Sequence, residues 1–318
     1  MGAGALALAL LADPLNASLL QALADGPRSL VELRVAVGSP PQTTVRTHLA
    51  ALSELAILVK HRRNDFPGSI DYELAPAGRE LLGVAAAVRA WLATAPGGSS
   101  PFASIAAQSA IKALVEGWST NMLRALAARP LSLTELGSLL TGISYPSIER
   151  RLAAMRLAGQ VEAMPGDTKG TPYTVTRWTR RAIGPLAAAA RWEELHLLQD
   201  TTPIGSRGAE AVFLLAMPLI ELEAEISGRC RLGIEVGDAE FRGLAGVMVA
   251  VERGRVVSCF SRLEGDPEAA ARGKPTAWFT ALLEGDPAPL DLHGEASLAA
   301  ALVKNIHSTL VIRPRSPR

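Results

Sequence analysis

Residues 22–33 read ALADGPRSLVEL, and residues 125–136 read ALAARPLSLTEL, a spacing of 125 − 22 = 103. Farther along, LGVAAAVRAW ends at Trp91 and IGPLAAAARW ends at Trp192, a spacing of 192 − 91 = 101. Solenoid units repeat roughly every 20–50 residues, so a repeat of this length corresponds to a duplicated domain. The sequence therefore predicts two related domains in tandem.

Composition limits the class of protein. The chain has 318 residues, is 48% hydrophobic and carries a net charge of +1. Its length predicts two or three domains, and its balanced charge means that any basic surface is local. The apolar stretch from Ala3 to Ala12 is too short to span a bilayer. We expect it to begin an amphipathic or interface helix that could drive homodimerisation, in a soluble, cytoplasmic protein without a membrane partner.

Each copy predicts the same order of elements. A first helix (Leu15–Ala24; Ile111–Ala128) precedes a capping box, Ser29-Leu-Val-Glu32 or Ser132-Leu-Thr-Glu135, which starts a short second helix. A third helix follows, opening at Ser39 or Ser144 with apolar residues at helical spacing. The rest of each copy is a strand, a turn and a strand (Leu58–Arg62 and Ile70–Leu74; Val161–Met164 and Tyr173–Val175), then a fourth helix (Pro76–Thr94; Arg177–Gln199). The drop in spacing from 103 to 101 places a turn two residues shorter in the second copy.

This order of elements is typical of a winged helix, whose third helix can enter the major groove while the hairpin lies over phosphates. The polar residues on the outer faces of the third helices are the candidates for base contacts: Thr43, Arg46, Thr47, Tyr145, Ser147 and Arg150. The candidates for phosphate contacts are Arg62, Arg63 and Lys169. Winged helices also serve as protein-interaction modules, which is the alternative for these surfaces.

At these residues the repeats resemble the HxlR-type winged-helix bacterial regulators, over roughly residues 13–195. The motifs are Trp118-Ser-Thr-Asn-Met-Leu-Arg-Ala-Leu126, the stretch from Gly142 to Val161, and Tyr72-Glu-Leu-Ala-Pro-Ala-Gly78 through Trp91. The resemblance implies double-stranded operator DNA as a partner. Two departures stand out. The family's usual cysteine before the first helix is absent, which puts thiol sensing in doubt. That family also supplies one winged helix per chain and dimerises, whereas a chain with two could imitate a dimer and read two unlike half-sites.

The last third of the chain predicts a different order of strands and helices. A linker, Asp200–Gly208, precedes runs that predict strands: Ala211–Leu219, Cys230–Val236, Leu244–Glu252 and Val256–Ser261. Arg253-Gly254 is a hairpin turn signal between the last two. Helices are predicted over Pro267–Arg272, Pro275–Leu283 and Ser297–Thr309. The two cysteines, Cys230 and Cys259, have no metal-ligand spacing and predict buried free thiols rather than a disulfide.

This α+β order is similar to the sterol-carrier-protein type 2-like domain, over roughly residues 208–312. The residues that carry the similarity are Ser227–Leu232, Gly254–Cys259, Gly265-Asp266 and Gly273–Trp278. The resemblance implies an apolar tunnel for a hydrophobic molecule, lined by Phe213, Met217, Val247, Val249, Phe260, Trp278, Phe279 and Ile306. The alternative is that these side chains simply fill the core.

Nothing in the sequence forms a catalytic, cofactor-binding or metal-ligating constellation, so we expect a protein that is not an enzyme and needs no cofactor. The predicted fold is α+β: two tandem winged-helix domains (1–97 and 98–200) followed by a sterol-carrier-like ligand-binding domain (201–318). The predicted function is a ligand-responsive, DNA-binding transcription regulator that senses a hydrophobic small molecule, such as an antibiotic or secondary metabolite. The alternative is a drug- or lipid-sequestering protein in which the winged helices have lost DNA and their third helices are buried.

Overall fold

The computed structural model describes residues 4–62, 70–96, 98, 102, 104–115, 117–165, 170–197, 206–237, 242–261 and 263–310. We refer to residues 4–96 as the N-terminal unit, to residues 104–197 as the middle unit and to residues 206–310 as the C-terminal unit. The element order of the middle unit repeats that of the N-terminal unit, and the C-terminal unit is built around a separate sheet.

The N-terminal unit is a helical body with a small sheet on one side. Its elements are α1 (Ala5–Ala12), α2 (Pro14–Ala22), β1 (Arg28–Ser29), α3 (Leu30–Ala36), α4 (Gln42–Glu54), β2 (Leu58–Arg62), β3 (Ile70–Leu74) and α5 (Pro76–Leu92). The three strands are antiparallel in the order β1-β3-β2. The predicted capping box starts α3, because the Glu32 carboxylate accepts the Ser29 backbone N–H at 2.7 Å and the Glu32 N–H is donated to the Ser29 hydroxyl.

The middle unit repeats this order with two differences. The counterpart of β1 is an isolated bridge between Leu131 and Tyr173, and the single fourth helix predicted from Arg177 onward is divided into two helices, so that prediction is wrong. The elements of the middle unit are α6 (Ile105–Val115), α7 (Gly117–Ala128), α8 (Leu133–Leu139), α9 (Tyr145–Leu157), β4 (Val161–Ala163), β5 (Tyr173–Val175), α10 (Arg177–Arg180) and α11 (Ile183–His196). Ser132 and Glu135 form the second capping box, at the start of α8. The described residues of the predicted helix over Ile111–Ala128 are helical, in α6 and α7, on either side of residue 116, which lies outside the described residues.

Strand pairing shows that the two units repeat residue by residue. Leu58 pairs with Leu74 in the first hairpin, and Val161 pairs with Val175 in the second. The first strands are thus offset by 161 − 58 = 103 and the second strands by 175 − 74 = 101, which are the two spacings read from the sequence. The two-residue difference falls in the second hairpin, as predicted.

Helix α1 lies inside the molecule rather than at an interface. Of its eight residues, five are buried, and it packs against α6 and α11. The carboxylate of Glu193 on α11 accepts the Gly4 N–H at 2.7 Å and the Ala7 N–H at 2.9 Å, and thereby satisfies donors at the start of the helix. Desolvation raises the pKa of Glu193, with these backbone hydrogen bonds acting against the shift. The prediction of an amphipathic interface helix is therefore wrong, because tertiary contacts cover most of its surface.

The N-terminal and middle units pack through α5 and α11 with matching contacts on each side. The indole N–H of Trp91 donates to the Trp178 carbonyl at 2.9 Å, and that of Trp192 donates to the Ala77 carbonyl at 2.7 Å. These contacts are equivalent in the repeat, because 192 − 91 = 101 and 178 − 77 = 101. The two units therefore exchange the same contact, which is the property of a two-fold, isologous interface.

One side of that interface carries an extra ring. Trp178 stacks on Trp91 with ring centroids 4.7 Å apart and planes 9° from parallel, and its N–H donates to the Trp91 carbonyl at 3.0 Å. The equivalent position in the N-terminal unit is Ala77, which has no ring to stack. The two-fold relation is consequently approximate, and the two halves are chemically distinct.

The C-terminal unit has a five-stranded sheet in the order β10-β9-β6-β7-β8, in which β6 and β9 are parallel and the other pairs antiparallel. Its elements are α12 (Ser206–Ala216), a 3₁₀ turn (Met217–Leu219), β6 (Gly228–Gly237), β7 (Arg242–Glu252), β8 (Arg255–Phe260), β9 (Ala269–Gly273), α13 (Pro275–Phe279), a π-helical turn (Thr280–Glu284), β10 (Asp291–Gly294) and α14 (Ala296–Leu310). Helices α12, α13 and α14 pack on the sheet. The predicted hairpin turn is confirmed, since Arg253 and Gly254 both have positive φ between the paired ends of β7 and β8.

Two predictions of secondary structure in this unit are wrong. Residues 211–219 form a helix and a 3₁₀ turn instead of a strand, because the run is rich in helix formers and places Phe213 and Met217 one turn apart toward the sheet. The predicted helix over Pro267–Arg272 contains β9 instead. There, parallel pairing with β6 buries Ala269 and Ala271, and this tertiary contact outweighs the local preference of alanine for a helix.

A membrane span requires a helix of sufficient length and apolar composition. Among the described residues no single helix is long and apolar enough to cross a bilayer. Helices α1 and α2 would suffice together by length and composition, but they meet at an angle of 87°.

Candidate nucleic-acid interface and the interdomain groove

The outer face of α4 presents the polar residues that the sequence analysis assigned to base contacts. Thr43, Arg46 and Thr47 are exposed, whereas Val45 and Leu49 on the opposite face are fully buried. The helix is therefore anchored by its apolar side, and its polar side faces solvent along the first two turns. This is the presentation that base-edge contacts in a major groove require.

Helix α9 presents the equivalent face of the middle unit. Tyr145 and Arg150 are exposed, and Ser147 is half-buried. The Arg150 guanidinium donates to the Ser147 hydroxyl at 3.4 Å, so these two candidate side chains are in contact. The sequestering alternative requires the third helices to be buried, whereas α4 and α9 both keep their outer faces exposed. The exposed Glu149 lies on the same helix and would repel phosphate.

The hairpin of the N-terminal unit supplies basic residues beside α4. Lys60 and Arg62 are exposed on β2. Between them, His61 lies 3.0 Å from the Glu73 carboxylate on the neighbouring strand. Arg63 and Lys169, the other candidates for phosphate contacts, lie outside the described residues.

Two partly buried hydrogen bonds connect the side of α4 that faces the core to α2 and α1. The ring nitrogen Nδ1 of His48 donates to the Asn16 side-chain oxygen at 2.8 Å, and the Asn16 amide donates to the Leu10 carbonyl at 3.2 Å. Asn16 is only 8% exposed. The contact joins the candidate recognition helix to the junction of α1 and α2. Sequence analysis did not single out Asn16, although a polar residue on the apolar face of a helix is a signal that could have found it.

The candidate ligand-binding residues are divided between a packed core and an open groove. Six are buried between the sheet and helices of the C-terminal unit: Phe213, Met217, Val247, Val249, Trp278 and Ile306. The Phe213 and Trp278 rings meet edge to face at 4.9 Å. Phe279 is half-buried beside them, whereas Phe260 is 61% exposed. Contact of this set with a ligand stays a prediction.

Phe260 lines a groove between the middle and C-terminal units. The groove has a volume of about 1130 Å³. One wall comes from α7, α8 and the residues that connect or follow them, and the other from α12, β7, β8 and the loop after β8. The lining residues are Asn121, Arg124, Ala125, Ala128, Arg129, Leu131, Leu139, Leu140, Thr141, Leu214, Met248, Cys259, Phe260, Ser261 and Glu264.

A half-buried arginine joins the two walls of the groove. The Arg180 guanidinium donates to the Ala127 carbonyl at the end of α7, at 3.3 Å, and to the Leu214 carbonyl of α12, at 3.1 Å. Burial lowers the pKa of Arg180 to about 10, so the side chain keeps its charge at neutral pH. Burial also raises the pKa of the neighbouring Cys259 thiol to about 12, which leaves it protonated and unreactive. Both cysteines are free, as predicted, but only Cys230 is buried and Cys259 is half-buried.

Helices followed by a hairpin, with an exposed polar third helix, define a helix-turn-helix protein with a wing. Residues 10–96 match the model of the HxlR-like helix-turn-helix family. This match indicates a DNA-binding transcription regulator, and it covers the N-terminal unit from the end of α1 through α5. No curated protein matches the chain.

Proposed function

We propose that the protein is a ligand-responsive transcription regulator whose N-terminal and middle units are both winged helices and together imitate a dimer. The observation that carries the proposal is the exchange of equivalent tryptophan contacts, Trp91 to the Trp178 carbonyl and Trp192 to the Ala77 carbonyl. A two-fold pair of winged helices reads a two-fold DNA site when its recognition helices reach successive major grooves. Covalent linkage of the pair removes the need for a second copy of the chain.

The two recognition helices differ at equivalent positions, so the operator has two unlike halves. At the repeat spacing of 103, Arg46 on α4 corresponds to Glu149 on α9, and Thr47 corresponds to Arg150. Identical subunits in a homodimer select a palindrome, and unlike units joined in one chain select an asymmetric site. Homodimerisation through the N-terminal segment has little support, because that segment is mostly buried within the chain.

DNA binding is tested by fluorescence anisotropy with fragments from upstream of the protein's own gene. Arg46→Ala should weaken binding by about 1–3 kcal/mol at one half-site only, and Arg150→Ala should do the same at the other. Arg255→Ala, which removes an exposed charge from the C-terminal sheet, is the matched control and should leave affinity unchanged. Absence of binding to every upstream fragment at low salt would refute the proposal. A palindromic preference would refute the asymmetric arrangement.

The C-terminal unit supplies the ligand-responsive part of the proposal. Two observations support this role: α12 of the C-terminal unit contacts α7 of the middle unit, and the two units line an open groove together. A ligand alters DNA affinity only by binding one arrangement of the units more tightly than another. Coupling of this kind is typically about 1–3 kcal/mol.

A further inference from the structure

We infer that the groove between the middle and C-terminal units is the effector site, and that its ligand is a hydrophobic, ring-bearing molecule that is uncharged or positively charged. The inference rests on the proposed function and gives it a location and a chemical class. The groove has a volume of about 1130 Å³, which is ample for a drug-sized molecule.

Two large apolar side chains stand exposed across the groove. Leu139, at the end of α8, is 54% exposed, and Phe260, at the end of β8, is 61% exposed. Behind them lie Leu131 and Leu214, which are almost fully buried, and Met248, the register partner of Phe260 in the sheet. Exposed apolar side chains that converge on one concave surface favour a binding site over accidental exposure.

The charges in the groove select against an anionic ligand. Both lining arginines are already neutralised by carboxylates, Arg124 by Glu210 and Arg129 by Glu135 at 3.0 Å. The remaining charged residue of the lining, Glu264, is exposed and makes no ion pair with the described residues. A cation can therefore approach Glu264 and the face of the Phe260 ring without displacing an ion pair, whereas an anion meets no unpaired guanidinium among the lining residues.

The groove is placed to influence the DNA-binding face of the middle unit. Helices α7 and α8 precede the candidate recognition helix α9, and α8 packs directly against α9. A ligand that contacts Leu139 and Phe260 together holds α8 against the C-terminal sheet. The half-buried Arg180 bonds both α7 and α12 and so ties the two walls of the groove together.

The test uses the full chain without DNA and two fluorescent probes of opposite charge, rhodamine 6G as the cation and anilinonaphthalene sulfonate as the anion. Rhodamine 6G should bind more tightly, and Phe260→Ala and Leu139→Ala should each weaken it by about tenfold, as expected for loss of an apolar contact. Both residues are exposed, so these variants should fold. Val257→Ala on the same strand and Leu157→Ala on α9, exposed apolar residues that do not line the groove, are the matched controls.

Two results would overturn the site, and a third would overturn the proposed charge of its ligand. Phe260→Ala and Leu139→Ala with unchanged affinity for rhodamine 6G would exclude the groove. Loss of binding in Phe279→Ala alone would place the ligand inside the C-terminal unit. Tighter binding of the anionic probe would contradict the charge argument. DNA anisotropy with and without rhodamine 6G separates the two proposals: groove binding without any DNA binding refutes only the regulator, and DNA binding without groove binding refutes only the effector site.

Discussion

Ala56 has a backbone conformation that suits glycine. Its φ is 53°, and its counterpart 103 residues later is Gly159, with φ of 69°. Both residues follow a recognition-helix candidate, at the position where a left-handed residue usually ends a helix. A β carbon in this region costs roughly 1–2 kcal/mol, so the N-terminal unit carries strain that the middle unit avoids.

Ala56→Gly should raise the free energy of unfolding by about 1 kcal/mol, because it relieves this strain. Gly159→Ala should lower it by at least as much, since the new β carbon would also lie 3.1 Å from the Pro96 ring. Urea unfolding followed by circular dichroism measures both. Ala50→Gly, the same substitution at an exposed position inside α4, is the control and should destabilise. A neutral or destabilising Ala56→Gly would contradict the argument.

Glu135 makes the second capping box sensitive to acid. Hydrogen bonds from the Ser132 backbone N–H, the Arg129 guanidinium and the Ser132 hydroxyl lower the pKa of Glu135 from 4.5 to about 2. Because this pKa is lower in the folded than in the unfolded state, the carboxylate stabilises the fold above pH 4.5. That contribution declines as the pH falls from 4.5 toward about 2.

Glu135→Gln should therefore lower the melting temperature at pH 7, and the difference from the unmodified protein should shrink to nothing near pH 2. Thermal melts across this pH range measure the effect. Arg129→Gln, which removes one of the three donors, should give a smaller difference with the same pH dependence. A difference that stays constant with pH would show that the carboxylate does not act through its charge.

At the scale of elements, we expect substitutions in the hairpin and substitutions in the recognition helix to change DNA affinity in different ways. Arg62 lies at the exposed end of β2, where a charge contacts phosphate rather than base edges. Arg62→Ala should weaken binding to all DNA sequences alike and reduce the magnitude of the salt-dependence slope by about 1. Anisotropy titrations over a range of salt concentrations measure this. A sequence-selective loss would instead indicate that the hairpin reads bases.

Elements defined by local signals were predictable, whereas those defined by partners were not. Both capping boxes lie where Ser-x-x-Glu places them, and both hairpins pair in the register implied by the repeat. Residues 211–219 and 269–272 were predicted in the wrong state. Alternating and helical patterns look alike in short apolar runs, and only the packing of α12 on β7 and the pairing of β9 with β6 decide between them.

At the scale of the whole molecule, we expect the contact between the two repeated units to affect both stability and compactness. Trp91→Phe and Trp192→Phe each remove an indole N–H that satisfies a backbone carbonyl across this contact. Each variant should lower the free energy of unfolding by about 0.5–1.5 kcal/mol, because one hydrogen bond across the contact is lost. The loss is limited because the Trp178 carbonyl keeps a second donor, the Arg181 N–H at 3.1 Å. The double variant should also raise the radius of gyration measured by X-ray scattering, since both contacts of the pair are weakened.

Trp278→Phe is the matched control for the tryptophan variants. Its N–H donates to the Gly233 carbonyl at 2.9 Å inside the C-terminal unit, so the loss should be local and leave the radius of gyration unchanged. If the double variant also keeps its radius, the tryptophans stabilise each unit separately and the two-fold contact is held by other groups.

The sequence alone determined the duplication, the starts of α3 and α8 at their capping boxes, the hairpin registers and the apolar and polar faces of the recognition helices, because each of these depends on residues close together in the chain. The tertiary structure alone decided how the repeats exchange tryptophan contacts, that α1 is buried, and that Phe260 faces a groove while Phe213 and Trp278 fill a core. Those outcomes depend on residues far apart in sequence. An apolar side chain has the same free-energy gain from burial against any partner, so its identity alone does not specify which one it meets.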